Sequence, residues 1–495
     1  MRKTPARGVQ ILQLSIREVW DSATRRFLRW REPRVSDRER SRAVSRSFFL
    51  HYHASRIHPF SLRPAYTLGL GLMSFFLFFI LLVTGVLLMF YYVPSVERAY
   101  SSIQDITYVV TGGRFIRNMH RWAAHGMVVT VLLHMARVFY TGSYARGRSL
   151  NWVIGVSLLL LTLLLSFTGY LLPWDQLAFW AVTIGTNIVG SVREFTDMLG
   201  TTAWFDPGGF VKSFLLGGDS VGQEALIRFY LLHIVLLPFL AGVLMLVHLW
   251  RIRKDGGLSR PGDADEVVLR GRGGTPSGSG PGGEPSILAW PAALWAEAAV
   301  LMVTIAALAT ASFLLDAPLR EIADPSAPEN PAKAPWYFLG VQELVSYSAF
   351  AGGVAIPLLF FTLLLVIPFL DREKDHIGRW FSGASGRQVA GSSALFALLI
   401  TVGLVGVAIR FGWLHDWIPG LPDLLNMLLN PGSCVVLAYL LFGMRTLRST
   451  GSTRLAVISL FTSSLVGMLL FTAIGFWFRG PDWEFYWNPA QMPGP

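Results

Sequence analysis

The run LGLGLMSFFLFFILLVTGVLLMFYYV, residues 68–93, carries no charge over a length that crosses a lipid bilayer as a helix. No other feature constrains the fold as much. Backbone polar groups in lipid must be paired inside the segment, and a helix does this alone. Comparable runs recur, giving nine candidate spans at roughly 66–92, 120–140, 151–172, 226–250, 288–315, 352–370, 392–411, 432–446 and 455–478, of which 432–446 is the shortest. The chain is 53% hydrophobic and 15% charged, too few charges for the surface of a soluble protein of 495 residues. Lys and Arg collect in the first fifty residues and after the even-numbered spans, in YARGRS, RIRKDGGLSRPG, DREKDHIGR and MRTLRSTGSTR. The opposite loops, such as DAPLREIADPSAPENPAK, are longer and more acidic. This asymmetry predicts an N-terminus in the cytoplasm and a C-terminus outside, and the membrane is expected to be a bacterial cytoplasmic one.

The net charge of +11 follows from those clusters, which face anionic lipid, and is no sign of nucleic-acid binding. Cys434 is the single cysteine, which excludes an intrachain disulfide, a CxxCH haem attachment and a cysteine-held cluster. The basic head is too long for a cleavable signal peptide, and the first apolar run is a full span. The segment GDADEVVLRGRGGTPSGSGPGGEPS reads as a flexible cytoplasmic linker. The expected organisation is a basic arm at 1–58 lying on the membrane surface, a four-span domain at 59–261, the linker at 262–287, a further domain at 288–390, and additional helices with an outer tail at 391–495. PWDQLAFWAV, in the outer segment 173–225, predicts a short helix at the membrane interface.

The second and fourth spans carry histidines that an ordinary apolar helix does not need. In RNMHRWAAHGMVVTVLLHMAR, His120 and His134 lie on nearly one helix face, about 21 Å apart along the axis. In FYLLHIVLLPFLAGVLMLVHLWRIRK, His233 and His248 repeat the theme with one residue more between them. Both spans run in the same direction, so packing them together sets His120 level with His233 near the outer face and His134 level with His248 near the inner face. Two facing imidazoles at each of two depths are what two six-coordinate haems require. Gly71 and Gly85 in the first span, and Gly155 and Gly169 in the third, repeat the ligand spacing and leave room for a macrocycle. Arg117, Arg121, Arg137 and Arg253 flank the histidines and are candidates to pair with haem propionates. One intramembrane histidine serves equally well as a helix–helix hydrogen-bond partner. Four in two matched pairs, beside two matched glycine pairs, favour the haem reading. His125 lies off the ligand face and reads as structural. His51, His53, His58, His376 and His415 fall outside the apolar centres and receive no metal role.

With those residues in hand, the front half resembles the cytochrome b of quinol-oxidising bc- and bf-type complexes, in RNMHRWAAHGMVVTVLLHMARVFYTGSY, TGYLLPWDQLAFWA, GDSVGQEALIRFYLLH and HLWRIRKDGG. The longer spacing in span four and the PWDQ motif are more similar to the bf branch. Residues 288–390 resemble that branch's separate subunit IV, with NPAKAPWYFLGVQELV in place of its Pro-Glu-Trp-Tyr motif. The resemblance covers about 60–390. It implies an all-α integral membrane fold: a dihaem four-helix bundle followed by about five further transmembrane helices. It also implies oxidation of a quinol near the outer face, electron transfer across the membrane through two b haems, reduction of a quinone near the inner face, and coupled proton translocation. A Rieske iron–sulfur protein and a cytochrome c-type acceptor would be separate chains, and the complex would be a homodimer in the lipid bilayer.

Two departures from the family pattern matter. Gly69 stands where the bf branch attaches an extra haem through cysteine, so no covalent haem is expected. Pro335 stands where the family has the acid that takes a proton from quinol. Glu343, two turns beyond Trp336 and Tyr337, is then the candidate acceptor, with Asp175 of PWDQ as runner-up. Alternative readings are a dihaem membrane anchor for another quinone-linked oxidoreductase, against which APWYF and PWDQ argue, and a membrane transporter, which would lack b-type absorption.

Overall fold

The computed structural model describes residues 36–46, 54–145, 147–272, 285–373 and 375–492. Among them are nine long helices, called spans one to nine below: Leu70–Met89, Gly113–Tyr140, Ser149–Tyr170, Gln223–Lys254, Ala289–Leu314, Ala351–Leu370, Ala384–Phe411, Pro431–Thr450 and Thr453–Phe478. Eight are long and apolar enough to cross a membrane, in keeping with an all-α integral membrane protein. The exception, Pro431–Thr450, corresponds to the shortest expected span; it has the length, but its last turns carry Arg445 and Arg448. The interface helix expected from PWDQLAFWAV is present as Gln176–Gly190, started by the Asp175 carboxylate capping the Ala178 amide. Residues 1–35, most of the expected basic arm, lie outside the described residues, and Asp37–Arg46 is helical.

Two compact units result, and they cut across the expected domain boundaries. The first comprises Met1–Leu68, Leu249–Leu258 and Asp263–Val300. Its described core is small: Phe60 and Tyr66 pack edge to face against Ala264 and Val268. Arg56–Ile57 pairs antiparallel with Ile287–Leu288, and His58 Nε2 lies 2.9 Å from Asp265 Oδ1. This corrects the reading of 262–286 as uniformly flexible. Residues Ala264–Arg272 form a helix because Ala264, Val267 and Val268 give one turn an apolar face, while the Gly/Ser/Pro-rich stretch 273–284 lies outside the described residues.

The second unit comprises Gly69–His248, Ser259–Gly262 and Leu301–Pro495. Spans one and two pack closely through Leu77 and the fully buried Ala123, with Leu308 of span five completing the cluster. Without a hydrophobic drive between helices in lipid, small residues and shared hydroxyls supply the contact. Ser393 donates to Ser459 at 2.9 Å, Tyr140 and Thr462 share a hydrogen bond at 3.0 Å, and Gly467 faces the Tyr439 ring. Span nine is the most enclosed: 44% of its apolar window is buried, against 11–28% for the other seven apolar spans. It is therefore a central helix of this unit, not a peripheral addition. An ion pair fixes its start. Arg454 Nε lies 2.6 Å from Asp371 Oδ2, which also accepts from the Tyr144 hydroxyl at 2.6 Å.

Candidate functional site

The structure sets the four predicted histidines in two facing pairs. The ring centroids of His120 and His233 are 6.3 Å apart, and those of His134 and His248 are 6.5 Å apart. Each gap admits one metal atom bonded to a nitrogen of both rings at about 2 Å. Span four keeps its histidines in register despite the extra residue because Leu232–Leu236 is a π-helical turn, which absorbs one residue without rotating the rest of the helix.

Hydrogen bonds orient the outer pair. Thr84 Oγ1 gives its proton to the Ile80 carbonyl at 2.7 Å, so the 2.9 Å contact with His120 Nδ1 is donated by the imidazole. His233 Nδ1 donates to the Leu165 carbonyl at 3.1 Å. Both bonds place the proton on Nδ1 and leave Nε2 as the available metal ligand.

Each predicted glycine faces an imidazole of a neighbouring span: Gly71 faces His134, Gly85 His120, Gly155 His248 and Gly169 His233. A Cβ at Gly71 would lie 3.1 Å from the His134 ring and one at Gly85 3.4 Å from His120, while at Gly169 it would run into the His233 ring. The expectation was clearance for a macrocycle. The structure shows the glycines making room first for the imidazoles themselves.

These residues fit haem by their donor count. Among the described residues no group of three or more His, Cys, Asp or Glu converges as a metal site. A metal held by only two imidazoles must bring its other ligands with it, as a macrocycle does. Arg121, one residue from His120, lies over the Tyr170 ring at 5.3 Å and buries an Nε without a hydrogen-bond partner, as suits a propionate contact. Arg137 is buried one turn past His134. Arg117 differs from expectation. Its guanidinium donates to the Ala317 and Pro318 carbonyls at 2.9 and 2.7 Å, so it tethers the outer loop. Arg253 belongs to the first compact unit, in the last turn of span four.

PWDQ and APWYF are joined through that loop. Asp175 accepts from the Arg320 amide at 3.0 Å as well as from Ala178, and Gln176 accepts from the Asp324 amide at 2.7 Å and bonds the Ala327 carbonyl. Outside the membrane, Arg114 and then Asn118 draw the Asp316 carboxyl, near the start of the loop, down to about 2. The loop ends at Trp336, whose indole N–H donates to His125 Nδ1 at 3.0 Å, while the Tyr337 ring lies 5.9 Å from His125. Arg121, Trp122, His125, Pro318 and Trp336 help line a cavity of about 520 Å³. His125, read from sequence as structural, thus lines the same cavity as Trp336 and bonds to it. The missing acid at Pro335 was the available signal that Trp336 needed another polar neighbour.

Glu343 is also placed differently from expectation. Its fully buried carboxylate is bound by Arg479 Nη2 at 2.7 Å and Nε at 3.0 Å, by the Tyr347 hydroxyl at 2.8 Å and by Trp483 Nε1 at 3.0 Å. Burial disfavours the Arg479 charge, yet the Glu343 carboxylate holds its pKa above the ordinary value; burial, then Glu343, push Tyr347 up. Four donor atoms therefore converge on this one carboxylate. The surroundings favour an anchor over a proton acceptor.

Comparisons with known proteins point to one family. Residues 54–256 match the family model described as Cytochrome b/b6/petB. The cytochrome b6 of Heliomicrobium gestii is 41% identical over 197 residues, covering 39% of this chain and 87% of that protein; the cytochrome b6 of Heliobacterium mobile is 42% identical over 197 residues, with the same coverage. A chain of a solved hyperthermophilic respiratory Complex III shares the fold, with a TM-score of 0.57 and 23% identity, covering 81% of this chain and 92% of that one. The present chain extends well past the end of its cytochrome b6 relatives, as a fusion with a subunit IV-like half would. By its histidine-bearing front half and its close relatives, the chain belongs to the cytochrome b/b6 family.

Proposed function

We propose that the chain is the cytochrome b subunit of a quinol–cytochrome c-type oxidoreductase, holding an outer haem between His120 and His233 and an inner haem between His134 and His248. The observation that carries this reading is the pair of ring separations, 6.3 and 6.5 Å, each backed by glycines of the neighbouring spans. When bound, the two haems supply one-electron carriers at two membrane depths, the chemistry by which this family links quinol oxidation at one face to quinone reduction at the other.

The chain's own residues do the rest. Thr84 and the Leu165 carbonyl hold the outer imidazoles in the tautomer that presents Nε2. Arg121 would offset propionate charge of a bound outer haem and Arg137 that of an inner one. Asp175, Gln176 and Arg117 hold the outer loop, which delivers Trp336 and Tyr337 beside His125. Trp336, Tyr337, His125 and Arg121 form the outer quinol-oxidising surface. An iron–sulfur protein and a cytochrome c-type acceptor are partner chains, because the single cysteine, Cys434, cannot hold such centres here.

A reduced-minus-oxidised spectrum of the purified protein tests the reading. Two b-type components, reducible by a quinol when the partners are present, are expected. A protein without b-type absorption overturns it. Two haems that a quinol never reduces would instead point to a dihaem anchor.

A further inference from the structure

The last span and the tail after it have no role in the reading above, yet they grip the helix that begins at Trp336. That helix, Trp336–Val345, packs along span nine, with Gly340 against Met468 and Thr472 and with Leu339 against Gly475. The tail closes over its other side. Arg479 forks onto Glu343 and donates from Nη1 to the Trp483 carbonyl at 2.8 Å, while Trp483 returns its indole N–H to Glu343. The loop leading into the helix is held by the same segment. Asn330 and Asp482 exchange two hydrogen bonds, at 2.7 and 2.6 Å, and Lys333 Nζ donates to the Phe476 carbonyl at 3.1 Å. Asp482 and Trp483 both sit at positive φ, 54° and 58°, a conformation that side chains of this size rarely adopt without such holding bonds.

We infer that Phe476–Trp483 is a clamp that positions Trp336 and Tyr337 for the quinol, and that Glu343 is its anchor. Glu343 and Arg479 are positioning residues, acting through the helix and not on the substrate. The inference rests on the outer-site reading for its function, and on the bonds above for the clamp itself. A buried carboxylate with four donors keeps the helix in one register. Removing Arg479 alone strands that charge, whereas neutralising both partners does not.

The test uses the intact complex carrying Arg479→Gln, Trp483→Phe, Glu343→Gln, or Glu343→Gln together with Arg479→Gln, each checked for both haem bands. Arg479→Gln and Trp483→Phe are expected to speed amide exchange across residues 336–347. They should also raise the quinol KM by roughly tenfold, the scale of one lost charge-assisted hydrogen bond, with the wild-type pH profile kept. The double variant should outperform Arg479→Gln alone. A Glu343→Gln protein whose pH profile loses a titrating group, beside an Arg479→Gln protein with unchanged exchange and KM, would overturn the clamp and make Glu343 a proton acceptor. Amide exchange needs no turnover. Failure of the quinol reading itself would therefore show in the wild type, as haems that a quinol never reduces, and would leave the exchange result standing.

Discussion

At the residue scale, the four glycines do not contribute equally. A methyl at Gly169 collides with the His233 ring, while one at Gly155 would sit 3.6 Å from His248, an ordinary contact. Gly169→Ala is therefore expected to lose the outer haem and Gly155→Ala to keep the inner one, as haem content per chain would show. If Gly169→Ala binds two haems normally, the imidazole is not where the structure puts it. His125 carries the second residue-scale prediction. Its bond to the Trp336 indole is worth about 1 kcal/mol, so His125→Phe should keep both haems and slow quinol oxidation several-fold. An unchanged rate would make His125 a packing residue. The two histidine pairs were legible in sequence because charge-capable side chains stand out in an apolar run. The contacts of His125, Arg117 and Glu343 were not legible for one shared reason: each has partners about 130 to 210 residues away in the chain, in loop and tail segments whose approach no local pattern records.

At the element scale, the π-turn at Leu232–Leu236 explains why the two histidine-bearing spans keep register with unequal spacing. Deleting Val235 should let the turn relax to an α-helix and leave both haems in place. Deleting Val129, in the regular helix between His120 and His134, rotates one ligand by about 100° relative to the other and should cost one haem. Equal losses from the two deletions would remove the π-turn's role. The spans themselves were readable from apolar length, and the interface helix from its PWDQ start. The helix Ala264–Arg272 was not, because its apolar face spans only about one turn within a polar, glycine-rich stretch.

At the scale of the whole molecule, span nine is fixed at both ends by buried ion pairs, Arg454 with Asp371 and Arg479 with Glu343. Arg454 also donates to the Glu373 and Asp375 carbonyls at 2.7 and 3.1 Å, so one side chain gathers the loop after span six. Arg454→Met leaves Asp371 buried and uncompensated and should cost about 3–5 kcal/mol of stability. A thermal melt followed by haem absorbance would read this as a clear fall in the midpoint, and an unchanged midpoint would show the pair to be dispensable. The central claim is that two histidine pairs hold two separate haems. Haem content of His248→Ala, set beside His233→Ala, tests it most directly. Each protein is expected to retain one haem, with the two residual spectra differing and summing to that of the wild type. A His248→Ala protein that still binds two haems, or residual spectra that coincide, would contradict it.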